Sequence, residues 1–219
     1  MSNKNKIILH SSEKLTIKFD EPIKEIEKEG KLTRSKLKSN SSYTSDGRVW
    51  INKDDVSHLL ATDKKGANII YNDLDDDDKL ENGNTKNISI EAIQKEVSKR
   101  IQEPRDTLKK ERLKDTEKCL PSMRDAPELE KIRELEESRI RKELPRVKAK
   151  KLKAETLDCI TKEPLVKPEV HHKNRIADKP REALDDENLA AINDTTHGVI
   201  HQEGYDTKEG FEKYSEKYK

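Results

Sequence analysis

Six histidines occur in the chain, and four of them fall between residues 171 and 201. His197 and His201 are four apart in Thr195-Thr196-His197-Gly198-Val199-Ile200-His201. Residues four apart share one face of an α-helix, the spacing at which two imidazoles grip one metal ion. His171 and His172 are adjacent, which is a different geometry. Neighbouring side chains on a strand point to opposite sides, so one of the two joins the metal cluster and the other is free to act nearby. Asn188 stands between the pairs, nine residues before His197. A neutral imidazole can ligate a divalent ion, and near neutral pH it can also take a proton from water.

These side chains need a strand to carry the first pair and a helix to carry the second. Leu165 to Val170 reads as a strand leading into His171. The loop after it holds Lys173, Arg175, Lys179 and Arg181, which read equally as a solvated loop or as phosphate contacts, with Arg175 the foremost contact because a guanidinium binds phosphate bidentately. Lys148, Lys150, Lys151 and Lys153 form a second basic run suited to following a nucleic-acid backbone without reading sequence. Tyr205, Phe211, Tyr214 and Tyr218 either stack on bases or, the preferred reading, cover the open side of the small module.

The ordered elements Cys159-Ile160-Thr161, Val170-His171-His172, Asn188-Leu189 and His197-Gly198-Val199-Ile200-His201 resemble the HNH endonuclease motif. The form is similar to that of colicin nuclease domains, and the resemblance covers about residues 155–205. It implies a ββα-metal fold, hydrolysis of DNA phosphodiesters to a 3′ hydroxyl and a 5′ phosphate, and a role for each matched residue. His171 would ligate a divalent metal and His172 would be the general base. Asn188 would brace the loop between strand and helix. His197 and His201 would complete the metal site, His197 more firmly, with His201 ligating or meeting the phosphate. Histidine ligands favour zinc, nickel or manganese, with magnesium suited where phosphate and water complete the sphere. Many members add paired C-x-x-C motifs for a structural zinc. Here Lys162 stands where a second cysteine would be, so packing of Ile160, Leu165, Val170, Ile176, Leu184, Leu189, Ile192, Val199 and Ile200 must hold the module, helped by a preceding helix around Leu144, Val147 and Leu152.

Earlier in the chain, Lys6–His10 and Leu15–Phe19 read as hairpin strands. Arg48–Ile51 reads as a strand leading through Asn52, a helix cap, into a helix bearing Val56, Leu59 and Leu60. That pair could open a helix-turn-helix reader, but no clear recognition pattern follows. Residues 20–47 are mostly polar, with a loop at Ser39–Ser42. Residues 72–88 are acidic and rich in Asn and Gly, and read as a solvated linker. From Ser89 the chain turns helical, with Ile90, Ile93, Val97 and Ile101 on one stripe. Breaks are expected at Pro104, at Cys119-Leu120-Pro121-Ser122 and at Pro145, with a capping box at Asp125 and Glu128.

The expected fold class is therefore α+β: a C-terminal ββα-metal (HNH) module preceded by long charged helices and a small, partly disordered α+β N-terminal region. The expected divisions are 1–71 for that region, 72–88 for the acidic linker, 89–154 for a charged helical arm and 155–219 for the nuclease domain.

Composition bounds the function. Charged residues make up 42% of the 219, yet the net charge is +1. The average hides a local −5 over Asp73–Glu81 and a local +5 over Pro145–Glu182, a separation that still lets a neutral chain offer a phosphate-binding face. Only 30% is hydrophobic, too little for one large core, and no apolar run approaches the roughly 18 residues of a membrane span. Two cysteines, neither in a C-x-x-C, and the absence of an apolar leader predict a reduced, cytoplasmic protein with DNA as partner, no membrane contact, and a homodimer interface along the charged helices. The Lys-, Asn- and Ile-rich composition suits an AT-rich bacterial, phage or prophage genome. The competing functional readings are a non-catalytic DNA-binding or assembly protein with a structural metal, and a toxin-type DNase.

Overall fold

The computed structural model describes residues 8–218. The chain divides into two compact units, Met1–Glu134 and Leu135–Lys219. The first contains β1 (His10–Ser11), α1 (Glu27–Ser39), β2 (Ser41–Tyr43), β3 (Val49–Asn52), α2 (Lys53–Leu59), α3 (Lys64–Asp73), β4 (Lys79–Asn82), β5 (Thr85–Ser89), α4 (Ile90–Gln102) and α5 (Thr107–Arg124). Its strands form one antiparallel sheet in the order β1-β2-β3-β5-β4. In the central strand β3, Val49, Trp50 and Ile51 are all buried, as a strand covered on both faces requires.

Local chemistry explains most of these elements. Asn52 Oδ1 accepts from the Asp54 amide at 2.9 Å, so the expected cap starts α2. A second helix, α3, follows it, capped by Asp63 accepting from the Gly66 amide at 2.7 Å. Ser89 Oγ accepts from the Ala92 amide at 3.1 Å and starts α4. The α4 stripe of Ile90, Ile93 and Val97 is buried in the same core as Ile51, Leu59, Ile88 and Leu120.

Several expectations fail here for identifiable reasons. The acidic stretch at 72–88 is no linker, because it supplies β4 and β5, which close a two-residue turn in the register Asn82↔Thr85. Gly83 has φ +61°, the conformation such tight hairpins demand. The helices at 89–124 are no separate arm, since their apolar stripe fills the core of the first unit and leaves little of it for a second copy. Helix α5 runs straight through Pro121. Burial of Cys119, Leu120 and Met123 along it offsets the backbone bond that proline forfeits. Residues 15–19 form no strand, though Leu15 is buried and Ile17 and Phe19 pack on the core. The polar stretch before residue 47 holds α1 and β2, and Ser41 and Ser42 lie in strand pairing with β3. Of the expected strand Lys6–His10, Lys6 and Ile7 lie outside the described residues. Glu128 takes no part in a capping box, because its carboxylate accepts from the Thr16 amide at 3.1 and 3.2 Å.

Helix α6 (Pro127–Ala154) begins in the first unit and ends in the second. It passes through Pro145 without ending, so the expected break there is absent. The second unit continues with β6 (Pro168–His172), β7 (Leu189–Asn193), α7 (Asp194–Gln202) and α8 (Lys208–Glu216). Strands β6 and β7 pair antiparallel, with His171 opposite Ala190. The core is small: Ile160, Ala190, Ile192, Ile200, Phe211 and Tyr214. Leu165, Ile176 and Leu184, expected inside, are only half-buried. Phe211 and Tyr214 take their place, with Tyr205 packed against them, so the covering reading holds for three of the four C-terminal aromatics, while Tyr218 is exposed. Among the described residues no helix is long and apolar enough to cross a membrane.

An enclosed ion pair of the first unit joins α1 to α5. Arg34 donates from both terminal nitrogens to Asp115, at 2.8 and 2.9 Å. It also donates to the carbonyls of Gly30 and Asp20. Asp115→Ala leaves this guanidinium unpaired and is expected to destabilise the unit by about 3 kcal/mol. The pair Arg34→Met with Asp115→Leu should recover most of that loss. Urea unfolding followed by the fluorescence of Trp50 measures both.

Candidate metal centre

The site stands on two adjacent elements of the second unit. His171 lies near the end of β6, and its neighbour His172 ends the strand. Alternation turns the two rings to opposite faces. On the inner face, one potential ligand atom from each of His171, His197 and His201 falls within 4.8 Å of the others. The expected metal residues therefore come together, and His172 lies outside that group.

The second nitrogens of the ligand rings identify the partners. His197 Nδ1 meets the Glu169 carboxylate. His201 Nδ1 lies 2.6 Å from Asp206 Oδ1. A carboxylate oxygen only accepts, so each contact favours a hydrogen on Nδ1, which in the neutral ring leaves Nε2 as the ligand atom. These two Nε2 atoms face each other at 3.0 Å. That contact needs either a proton on one ring, making it a hydrogen bond, or a metal ion between the two. Around a four-coordinate zinc with bonds near 2.0 Å, ligand atoms stand about 3.3 Å apart.

His171 completes the argument. It is 3% exposed, and its Nε2 is buried with no hydrogen-bond partner. A buried polar atom without a partner is costly, and an ion among the three rings would satisfy it. Burial, followed by the charges of His197 and His201, pushes His171 down to about 4, so the ring is neutral and its lone pair available near neutral pH. Phe211 stacks on the ring with centroids 5.6 Å apart and planes 11° from parallel. The donor set fits a divalent transition metal.

His172 is held differently. Its Nε2 lies 3.1 Å from the Ala183 carbonyl oxygen. A carbonyl cannot donate, so Nε2 carries the hydrogen and Nδ1 is left basic. Burial lowers its proton affinity, the Ala183 carbonyl opposes that, and Lys148 lowers it further; the net shift is downward.

Asn188 is 6% exposed and braces the segment between the two strands. Its Oδ1 accepts from the Asn174 amide at 2.7 Å. Its Nδ2 donates to the carbonyls of Asn174 at 3.2 Å and Glu182 at 3.1 Å. The bracing was expected between strand and helix, but the braced segment joins β6 to β7, because β7 follows Asn188 directly.

The four expected phosphate contacts all lie on that segment, where Arg175, Lys179 and Arg181 are exposed. Arg175 Nε is 3.6 Å from Asp178. Lys173 Nζ donates to the Glu187 carbonyl at 2.7 Å and lies 5.8 Å from the Phe211 ring centroid, so it sits beside the metal group. A cavity of about 410 Å³ is lined by Lys173, Asn174, Glu182, Asp185, Glu187 and Lys208, among others. On α6, Lys151 donates to Asp186 Oδ2 at 3.1 Å. This lysine from the second basic run is thus spent within the unit.

Sequence reasoning missed three carboxylates. Glu169 was legible in principle, since it lies two residues before His171 and shares its face of the strand. Asp206 carries no periodic signal. Asp158 is the third, and it is fully buried. Its Oδ1 accepts from the amides of Ile160 at 2.8 Å and Thr161 at 3.1 Å. Its Oδ2 accepts from the Asn193 amide and the Thr196 hydroxyl, both at 2.8 Å. Cys119 and Cys159 are both free thiols, and burial pushes Cys119 up to about 12.

No family model, curated protein or solved structure matches the chain.

Asp158 yields a pH prediction. Burial alone would raise its pKa, but the hydrogen bonds from Asn193, Thr196, Ile160 and Thr161 outweigh burial and hold it below the ordinary carboxylate value. A depressed folded pKa gives stability that is present above the unfolded value, about 3.9, and lost as pH falls through the folded one. Asp158→Asn is expected to cost about 2 kcal/mol at neutral pH and to flatten the acid limb below about pH 4. Hydrogen exchange at Ala190–Ile192, measured against pH, reads both effects.

Proposed function

We propose that the chain is a metal-dependent endonuclease of the HNH type that hydrolyses DNA phosphodiesters. The observation that carries this reading is the convergence of His171, His197 and His201 on one point. Its support lies in the strand–strand–helix order around that point, and in an adjacent histidine, His172, whose basic nitrogen is left free by the Ala183 carbonyl.

His171, His197 and His201 would hold the ion. A divalent ion bound there supplies positive charge to a phosphate and to the departing 3′ oxygen. The remaining work falls to the chain. His172 Nδ1 accepts the proton of an attacking water, and the bond from Nε2 to Ala183 keeps the ring in that tautomer throughout. Asn188 fixes the Glu182 carbonyl and thereby the position of the adjoining Ala183. Lys173, Arg175, Lys179 and Arg181 offer cationic charge to the backbone without reading bases.

Purified protein is expected to nick supercoiled plasmid with manganese or nickel. His172→Ala should lower the rate about 10²- to 10⁴-fold while metal affinity, measured by calorimetry, stays at the wild-type value. Failure of the wild type to cut with any divalent ion, or equal cutting by His172→Ala, overturns the reading. Metal binding without cleavage is the outcome that favours a non-catalytic DNA-binding protein.

Arg175→Ala should weaken DNA binding uniformly across sequences and reduce the slope of log affinity against log salt by about 1. Fluorescence anisotropy with two unrelated duplexes, over a salt series, checks it.

A further inference from the structure

We propose that Asp206 is a positioning residue of the metal centre: through His201 Nδ1 it decides which nitrogen of His201 is free to bind the ion. The proposal rests on the metal-binding part of the reading above and not on nuclease chemistry.

The placement of Asp206 follows from two helix ends. Helix α7 stops in a left-handed turn at Gly204, φ +72°. The Tyr205 amide donates to the Ile200 carbonyl at 2.9 Å, and the Gly204 amide to the His201 carbonyl at 3.4 Å. This is the paired closure of a Schellman motif, which glycine at that position permits. Tyr205 then packs in the same apolar cluster as Ile200, the hydrophobic contact that accompanies such a closure. The chain reverses, and the next residue, Asp206, comes back beside the last turn of α7. Thr207 follows at once and caps α8, accepting from the Gly210 amide at 3.1 Å. Asp206 is thus the link between two capped helix ends, with its backbone held on both sides.

The side chain has one thing to do there. Asp206 Oδ1 is closed off from solvent and has no hydrogen-bond partner; His201 Nδ1 lies 2.6 Å from it, at ion-pair distance, so a hydrogen on that nitrogen is what would satisfy it. The His201 side chain is 51% exposed. A neutral histidine open to water favours the tautomer with hydrogen on Nε2, the form that cannot ligate through that atom. Asp206 reverses the preference. It holds the hydrogen on Nδ1 and leaves the Nε2 lone pair pointing at His197. It also selects one ring orientation, so less freedom is lost when the ion arrives. Carboxylates in this relation to a ligand imidazole typically change metal affinity 10- to 100-fold.

The test uses the full chain and zinc. Competition calorimetry gives the zinc affinity of wild type, Asp206→Ala and Asp206→Asn. Long-range ¹H–¹⁵N NMR of the metal-free proteins gives the His201 tautomer. Asp206→Ala is expected to bind zinc about 10- to 100-fold more weakly and to move the His201 hydrogen to Nε2. Asp206→Asn, whose amide oxygen still accepts from Nδ1–H, should recover part of the affinity and keep the wild-type tautomer. A purely structural role would lower the melting point of the metal-free protein without moving the tautomer. Affinity within about twofold of wild type, or an unmoved tautomer, in Asp206→Ala overturns the proposal. Should Asp206→Ala fail to fold, Asp206→Asn decides: a His201 hydrogen on Nε2 there, or zinc affinity no different from wild type, overturns it. A wild type that binds zinc but cuts no DNA removes the nuclease reading and leaves this one standing, whereas a wild type that binds no zinc removes both.

Discussion

The second unit depends on one buried carboxylate. Asp158 has no exposed surface, and its two oxygens take four hydrogen bonds from the turn at Ile160 and Thr161, the end of β7 and the first turn of α7. Burying a charge is expensive unless its lone pairs are filled, and here each oxygen receives two donors. The bond to Thr196 matters most for the site, because His197 is the next residue. Asp158 thereby fixes the start of α7 against β7, and the distance from His171 to His197 and His201 follows. The negative charge also lies where the first amides of a helix carry partial positive charge. A zinc knuckle can hold such a turn with paired thiolates. In this chain Lys162 takes the position of the second thiol, adopts φ +63° and donates to the Cys159 carbonyl at 2.7 Å. The turn is closed by hydrogen bonds instead.

With the frame fixed, the polar chemistry of the three-histidine group becomes a problem of directing nitrogen lone pairs. The three imidazoles meet edge to face and share one hydrogen bond, between His197 and His201. His171 is buried with an unpaired nitrogen, and the Nε2 atoms of His197 and His201 confront each other. What holds the arrangement is outside the triad: Glu169 behind His197, Asp206 behind His201 and the flat face of Phe211 against His171. Two carboxylates one bond removed from the ligands would balance the charge of a divalent ion while leaving the ligand set neutral. The unpartnered His171 Nε2 is the contact in this group that a cation would relieve.

Which parts of this were legible follows from how local each signal is. The helical spacing of His197 and His201, the cap at Asn52 and the stripe Ile90–Ile93–Val97 are set by neighbours within a turn, and each appears in the structure as the spacing predicts. The strand at Ser41–Tyr43 and the hairpin at Lys79–Ser89 were not legible. Their few apolar residues draw stability from pairing with β3, a partner distant in sequence, and the run of aspartates ahead of the hairpin masks a two-residue turn. Pro121 misled for the opposite reason. A local rule against proline in a helix was overridden by the burial of Leu120 and Met123. Asp158 was hidden because two of its four donors, Asn193 and Thr196, are brought to it by the folding of the whole unit, and Asp206 because its placement depends on the turn at Gly204 rather than on a helical or strand period. Low hydrophobic content was a fair warning that one core could not serve the chain. It missed that the first unit would also rely on enclosed ion pairs such as Arg34–Asp115.

The adjacent histidines show how one strand separates two jobs. His171 turns inward, loses its contact with water and is left neutral with a lone pair facing the other rings. One residue on, His172 turns outward and spends its Nε2 on a carbonyl. That carbonyl belongs to Ala183, whose neighbour Glu182 is held by Asn188. Asn188 in turn is fixed where β7 begins, opposite the end of β6, so the chain from His172 through Ala183 and Asn188 closes back on the strand that carries His172. The long, charged segment between the strands is thus a rigid backing for one imidazole, even though its surface is solvated. A change at Asn188 would reach His172 through two backbone carbonyls without touching the metal group. The two histidines, though adjacent in sequence, are supported by separate parts of the unit: one by the rings of α7 and by Phe211 of α8, the other by the braced loop.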